Sequence, residues 1–319
     1  MSSNAVPTHE RVIITGASGA FGRAAAERLL SRMPGSQLVL TTRTPASLDD
    51  FARRGASVRY ADFDDPGSLS IAFAGGTKLL LISTARVGTR VGQHKNAIDA
   101  AARAGIRHIA YTSVLGAAEP DNPAIVKLDH RATEVHLEQS GLDWTFLRDS
   151  QYAEAVAGAI IPGALAAGHC WDNSGDGRVA FVARQDCVAC ATEVLIQQGH
   201  ANKAYDITGP ELLSIPQGVE MAALMMGKPI VVKRVNDDEM FEYFDALGVP
   251  RHASDVRPRG AIPWSSDDMV TFGQSIREGY FDVLTDHVEL ITGRKPTPLH
   301  DIMLAHQASW TANPHPVGP

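Results

Sequence analysis

A doubly wound α/β fold, with a parallel sheet as its body and a smaller lobe in its C-terminal half, is predicted by three features of this 319-residue sequence. From residue 11 to about residue 158, short aliphatic or β-branched runs alternate with Ala-rich stretches, as parallel strands joined by crossover helices require. The runs are nearly continuously apolar, the pattern of strands covered on both faces. The first of them, "RVIIT", feeds directly into Gly16, Gly19 and Gly22 and then into a helical stretch.

Taken in order, strands are predicted at "RVIIT", "QLVLTT", "SVRYA", "KLLLIS", "RHIAYTS" and "DWTFLR". The helices between them are "GRAAAERLLSRM", "PASLDDFARRG", "PGSLSIAFAG", "GQHKNAIDAAARAG" and "AIVKLDHRATEVHLEQSG", several ending at glycine as helix C-termini prefer. Beyond residue 158 the regularity weakens. "WDNSGDGR" reads as a loop, "VAFVA" as a strand and "RQDCVACATEVLIQQ" as a helix opened by Asp186; "AYDITG" follows, then mostly helical segments to residue 306 and a frayed tail, "TANPHPVGP". The expected division is a dinucleotide-binding body, 1–158, and a mostly helical substrate-binding lobe, 159–319, integrated as one unit. Such a lobe would close over the carboxyl ends of the strands, where open α/β sheets bind ligands.

Composition narrows the partners. A net charge of −7 without a sustained Lys/Arg cluster argues against nucleic acid. No apolar run approaches the ~20 residues of a membrane helix. Three cysteines, Cys170, Cys187 and Cys190, cannot all pair, and no charged-then-apolar leader precedes the first strand, so a reducing cytoplasm fits best. Cys187 and Cys190 share a helical face with no second Cys/His pair at zinc spacing; they are expected to be buried small apolar groups, with no metal.

A strand that runs through glycines into a helix puts free backbone N–H groups at the positive end of a helix dipole, a seat for a pyrophosphate. Gly16 allows the tight turn, Gly19 lets the backbone approach the phosphates, and Gly22 lets the helix pack closely on the strand. At the end of the second strand, where an acid would read a free ribose 2′-hydroxyl, the text is "VLTTRTPASL": Arg43 stands there with no acid beside it. A guanidinium suits a 2′-phosphate, so NADP(H) is favoured over NAD(H). Asp62 and Phe63, after the third strand, are placed to flank an adenine.

The segments "TGASGAFG", "TTRTPASL", "QHKNAIDAAARAGIRHIAYTS", "DHRATEVHLEQSGLDWTFLR", "GDGRVAFVARQDCVACA" and "GQSIREGYFDVLTDHVELITGRKPTPL" together resemble the NmrA-like branch of the atypical short-chain dehydrogenase/reductases, in order over residues 11 to 300. The resemblance implies a Rossmann body with a small C-terminal substrate lobe and hydride transfer from NADPH to a small aromatic, quinone-like or otherwise conjugated acceptor, by a monomer or homodimer. It places the pyrophosphate loop on Gly16, Ser18, Gly19, Ala20, Phe21 and Gly22, the 2′-phosphate contact on Arg43, and the nicotinamide-ribose segment on Ser83 and Thr84. A second cofactor-contacting segment falls on Asp149, Ser150, Gln151 and Tyr152. Two departures stand out: related quinone reductases carry Asn at the place of Asp149, and Lys where this chain has Ser47. Some members of the branch bind dinucleotide without turning it over and act as redox-sensing regulators through a protein partner, which is the alternative reading.

The Tyr-x-x-x-Lys pair of most short-chain dehydrogenases is absent, since Tyr111 is followed by "TSVL" and the predicted helix over 124–140 has no tyrosine. On that helix His130 occupies the place of the acid/base lysine of related ether reductases, and Lys127 lies one turn earlier on the same face. His130 is therefore the candidate acid/base or ribose-positioning group, with Lys127 in support. The acceptor pocket is expected to be lined by Tyr152, His169, Trp171 and Trp264, whose rings can stack on a flat substrate.

Overall fold

The computed structural model describes residues 10–85, 87–252 and 264–312; of the tail expected to fray, residues 313–319 lie outside them. The six predicted strand runs all form strands: β1 (Val12–Ile14), β2 (Leu38–Thr42), β3 (Ser57–Tyr60), β4 (Lys78–Leu81), β5 (His108–Val114) and β6 (Asp143–Asp149). Helices α1 (Ala20–Leu30), α2 (Asp49–Ala52), α3 (Pro66–Ala72), α4 (Arg90–Arg103) and α5 (Val126–Glu138) join them. The "PASLDDFARRG" stretch is mostly not α-helix, because a 3-10 turn over Pro45–Leu48 precedes the single turn of α2.

Strand pleating sends alternate residues to opposite faces, and each face has its own core. Val12, Ile14, Leu38, Leu40 and Leu147 pack with Phe21, Ala25 and Leu29 of α1 and with Phe51. Ile13, Val39, Leu79, Leu81, Ile109 and Phe146 face Leu69, Ala97, Ile98 and Leu137 of α3, α4 and α5. The inner strands β1, β2 and β4 are mostly apolar because both sides of the sheet are covered there, whereas the edge strand β3 is half-exposed.

After β6 the chain leaves the sheet through α6 (Ala153–Ala155), a π-helical turn over Val156–Ile160, α7 (Ile161–Ala167) and β7 (His169–Asp172). It then returns through α8 (Arg184–Ile196) to β8 (Lys203–Ile207), which pairs with β6. The complete parallel order is β3-β2-β1-β4-β5-β6-β8. The expected boundary at residue 158 is thus corrected: α8 and β8 belong to the body. Glu193 of α8 accepts hydrogen bonds from Arg28 and Arg32 at 2.8 and 2.7 Å, tying α8 to α1. Cys187 and Cys190 are buried in the core between α8 and the sheet.

Two smaller expectations also change. "VAFVA" is buried but makes only isolated bridges, Tyr152 with Val182 and Val179 with Leu213. Ala183, not Asp186, precedes the first turn of α8, while the buried Asp186 carboxylate accepts the Thr297 N–H at 2.6 Å.

The lobe comprises the α6–α7 segment, the parallel pair β7 and β9 (Val231–Arg234), α9 (Ile215–Met226), α10 (Asp237–Ala246), α11 (Ser266–Arg277) and α13 (Leu299–Ala312). A third core of Val156, Ile161, Phe181, Ile215, Val219, Ile276, Phe281, Met303 and Trp310 holds it together. Between α11 and α13, helix α12 (His287–Thr292) packs back on the body through Val288 and Ile291. Among the described residues no helix is long and apolar enough to cross a membrane.

Candidate active site

The sheet order reverses between β1 and β4, and the crevice at their carboxyl ends is where a doubly wound sheet binds its ligand. Gly16 sits there at φ +58°, a left-handed conformation suited to glycine. Gly19 precedes α1 and donates its N–H to Gly16 O at 3.0 Å. A Cβ on Gly22 would lie 2.6 Å from Gly16 O and 2.7 Å from Ala17 Cα, so the third glycine lets α1 start against the turn itself, whereas the sequence suggested the strand. The opening amides of α1 have no acceptor within the helix, and its first turn carries no acid. Ser18, Gly19 and Ala20 are exposed in the crevice, with Phe21 and Gly22 buried behind them. Such a cradle, which extra side-chain atoms would fill, fits a dinucleotide diphosphate.

Arg43 follows β2, exposed and with no ion pair or hydrogen bond among the described residues. Beside it runs a row of hydroxyls that sequence reading did not assemble: Thr42 Oγ1 donates to Ser18 Oγ at 2.9 Å and lies 3.4 Å from Thr44 Oγ1, itself 3.3 Å from Ser47 Oγ. Arg23 is committed elsewhere, to Ser47 O and Asp50. Asp62 and Phe63 are half-buried past β3; Asp62 accepts the Asp64 N–H, and the Phe63 ring stands edge-on to His94 at 6.4 Å.

Past β4, Ser83 N–H donates to Thr112 Oγ1 and Thr84 N–H to His94 Nε2, at 2.8 and 3.2 Å. His94 must then carry its proton on Nδ1, which donates to Thr133 Oγ1 at 2.9 Å. Arg90, which can only donate, reaches His130 Nε2 at 2.8 Å and forces the same tautomer there. His130 Nδ1–H in turn meets the Tyr111 hydroxyl at 2.8 Å. Burial, reinforced by the Arg90 charge, holds His130 well below the usual imidazole range and pushes His94 down to about 3. His130 is thus neutral, with its one lone pair taken by Arg90. The acid/base role expected for it does not fit this geometry; a positioning role does. Neither does Lys127 serve as a proton carrier, since it is buried with its ammonium between the carbonyls of Glu119 and Pro120 at 2.7 and 2.6 Å. Arg90, His94 and Thr133 went unnoticed in the sequence because nothing in a helical pattern marks which polar residues meet across two helices.

The pH–rate profile of His130→Gln is expected to run parallel to that of the unmodified protein between about pH 5.5 and 8, because a ring held neutral does not change its protonation over that range. A limb near the ordinary imidazole value that vanishes in the variant would restore the acid.

The end of β6 and the loop after it carry three consecutive buried side-chain oxygens without a partner, Asp149 Oδ1, Ser150 Oγ and Gln151 Oε1. Asp149 Oδ2 accepts the Tyr152 hydroxyl at 2.8 Å, and burial raises the carboxyl to about 7.

A cavity of about 280 Å³ lies within the lobe between α7, β7, α10 and α11, and Gln151 is its link to the strand ends. His169, Trp171 and Trp264 are all in its wall, as expected. Tyr152, contrary to expectation, does not line it; that ring packs with Val182 and Cys187 under the Arg184 guanidinium. Tyr243 stacks on Trp171 at 5.0 Å and 17°, and Phe244 meets Trp264 edge-on at 5.4 Å. Sequence reading missed Tyr243 and Phe244, which there look like the apolar stripe of an ordinary amphipathic helix. Cys170 also lines the cavity, its thiol pushed by burial up to about 12 and so kept protonated.

A switch-point crevice with a glycine cradle and free arginine, next to an aromatic cavity, defines the dinucleotide-dependent α/β reductases of the atypical short-chain type. The pattern of an NAD(P)H-binding family matches residues 16–168. Quinone oxidoreductase 2 of Escherichia coli is 35% identical over 245 residues, covering 77% of this chain and 85% of that protein. The crystal structure of the E. coli enzyme with NADPH superposes with a TM-score of 0.84 at 30% identity, covering 92% of this chain and 99% of the other. Triphenylmethane reductase of Citrobacter sp. with NADP(H) gives 0.80 at 27%, covering 93% and 99%. The chain belongs to the NmrA-like family of NAD(P)H-binding oxidoreductases.

Proposed function

We propose that the protein is an NADPH-dependent reductase whose acceptor is a flat quinone-like or otherwise conjugated molecule held in the lobe cavity. The observation that carries this reading is the position of Gln151, which lines the aromatic cavity while belonging to the loop after β6, at the carboxyl edge of the cofactor crevice. An acceptor held between the stacked Trp171–Tyr243 pair and Trp264 would be within reach of a nicotinamide lying over Ser83, Thr84 and Ser150.

Bound NADPH supplies the hydride. The residues of the chain hold and align: the free amides of Ser18 and of residues 20–22 take the diphosphate, Arg43 with Thr44 and Ser47 takes the 2′-phosphate, and the unpartnered Ser150 and Gln151 oxygens are suited to a carboxamide or ribose hydroxyl. Neither His130 nor Lys127 is free to donate a proton, so the proton that completes a hydroquinone comes from water. Quinone reduction tolerates this, because hydride arrival restores aromaticity.

The test is NADPH oxidation followed by absorbance with 2-methyl-1,4-naphthoquinone, 1,4-benzoquinone and a cationic triarylmethane dye. Turnover of at least one is expected; tight NADPH binding with none turned over would remove the acceptor assignment. Arg43→Ala is expected to weaken NADPH by ~10- to 100-fold and to leave NADH unchanged, since one charge-assisted phosphate contact is lost. Equal losses for both cofactors would show that Arg43 does not read the phosphate.

A further inference from the structure

We infer that Trp310, on the C-terminal helix, is a positioning residue for the acceptor cavity: its indole N–H replaces a backbone donor that Pro162 cannot supply, and so fixes the π-helical turn forming one cavity wall. This rests on the cavity being the acceptor site.

The hydrogen-bond ladder of this segment makes the case. Within the turn over Val156–Ile160 the backbone pairs five residues apart, the Ile161 N–H donating to Val156 O. The next rung would run from residue 162 to Ala157 O, but residue 162 is proline and has no N–H. Ala157 is fully buried, so its carbonyl cannot turn to water. Trp310 Nε1 donates to it at 2.7 Å, across 153 residues of sequence. The indole is itself 6% exposed and belongs to the lobe core.

The extra residue of a π turn rotates the helix beyond it, and here Ala155, Ala159, Ile160, Gly163, Ala164 and Ala167 face the cavity. Apart from Ile160 these are small side chains, so the backbone path sets how close that wall comes to a bound ring. The C-terminal helix therefore governs cavity width without touching the acceptor.

Trp310→Phe keeps an aromatic ring in the lobe core but removes the donor together with part of the indole, so the donor's share is read from the comparison with the Pro162→Ala background. The expected result is a ~5-fold rise in KM for 2-methyl-1,4-naphthoquinone, with the Kd for NADPH unchanged and faster amide exchange in residues 153–167 but not in residues 11–30. Pro162→Ala adds a backbone N–H next to the same carbonyl, and in that background the Trp310→Phe effect should shrink. An unchanged KM alongside unchanged exchange, or effects of the two substitutions that simply add, would overturn the inference. If the unmodified protein reduces no quinone, the acceptor reading fails by itself; the exchange and its dependence on Pro162 still decide whether Trp310 holds the turn.

Discussion

Asp149→Asn is expected to make the protein more stable at and above neutral pH and to flatten the fall in its stability between about pH 4 and 7. The carboxyl is buried with one oxygen unpartnered, and its value is raised from 3.8 to about 7. Over that interval the unfolded chain has released the proton while the folded chain keeps it, so stability falls as pH rises from about 4 to 7. At about 1.4 kcal/mol per pH unit the loss reaches roughly 4 kcal/mol at most, less whatever the loop recovers by relaxing. Asn preserves the oxygen that accepts from Tyr152 and carries no charge to bury. Asp268, pushed up to about 6 by burial, adds to the decline with the same sign. His94 and His108, held down to about 3 and about 4, act oppositely and lower stability as pH falls below the ordinary imidazole value of 6.5. Urea melts at about pH 5 and about pH 8 are the check. An Asn variant no better than the parent at the higher pH would mean that Asp149 is ionised and paired in the folded chain.

The second large effect belongs to Gly22→Ala. The new Cβ would meet Gly16 O and Ala17 Cα at 2.6 and 2.7 Å, both of them backbone, so the turn has to move. Because that turn aims the amides proposed to take the diphosphate, those of Ser18 and residues 20–22, a displacement approaching 1 Å is expected to cost ~100-fold or more in NADPH affinity, with a lower Tm. Gly92→Ala, at an exposed position of α4, is the control: nothing lies within 4 Å of its added Cβ, and it should gain ~0.5–1 kcal/mol of stability with NADPH binding intact. Calorimetric titration of the two variants side by side separates a loop effect from a general one. Ordinary NADPH affinity in Gly22→Ala would mean that the diphosphate is not held by this turn.

How far the sequence could be read depends on where each signal resides. The six strands, the glycine turn and Arg43 are local features: runs of apolar residues, three glycines and one cation at a strand end are visible in windows of a few residues. His169, Trp171 and Trp264 could be named from their residue types, although Trp264 is far from the other two in the chain and His169 and Trp171 lie on strand β7. The errors fall where function depends on a partner distant in sequence. His130 looked like an acid until Arg90, 40 residues before it in the chain, was found against its free nitrogen. Lys127 looked available until two loop carbonyls closed on it, and Tyr152 looked like a cavity residue until Asp149 held its hydroxyl on the other side of the loop.

By itself, then, the order of residues determined the layered α/β body, the glycine turn between the first strand and its helix, and the unpaired cation at the end of the second strand, because those arise from backbone freedom, periodicity and charge within single segments. Tertiary structure alone decided that residues 184–207 return to the sheet, that the buried imidazoles are locked as neutral tautomers, and that an indole near the chain end completes a broken helix beside the cavity. Protonation and hydrogen-bond satisfaction depend on what surrounds a group in space, and those surroundings are assembled from segments that only folding brings together.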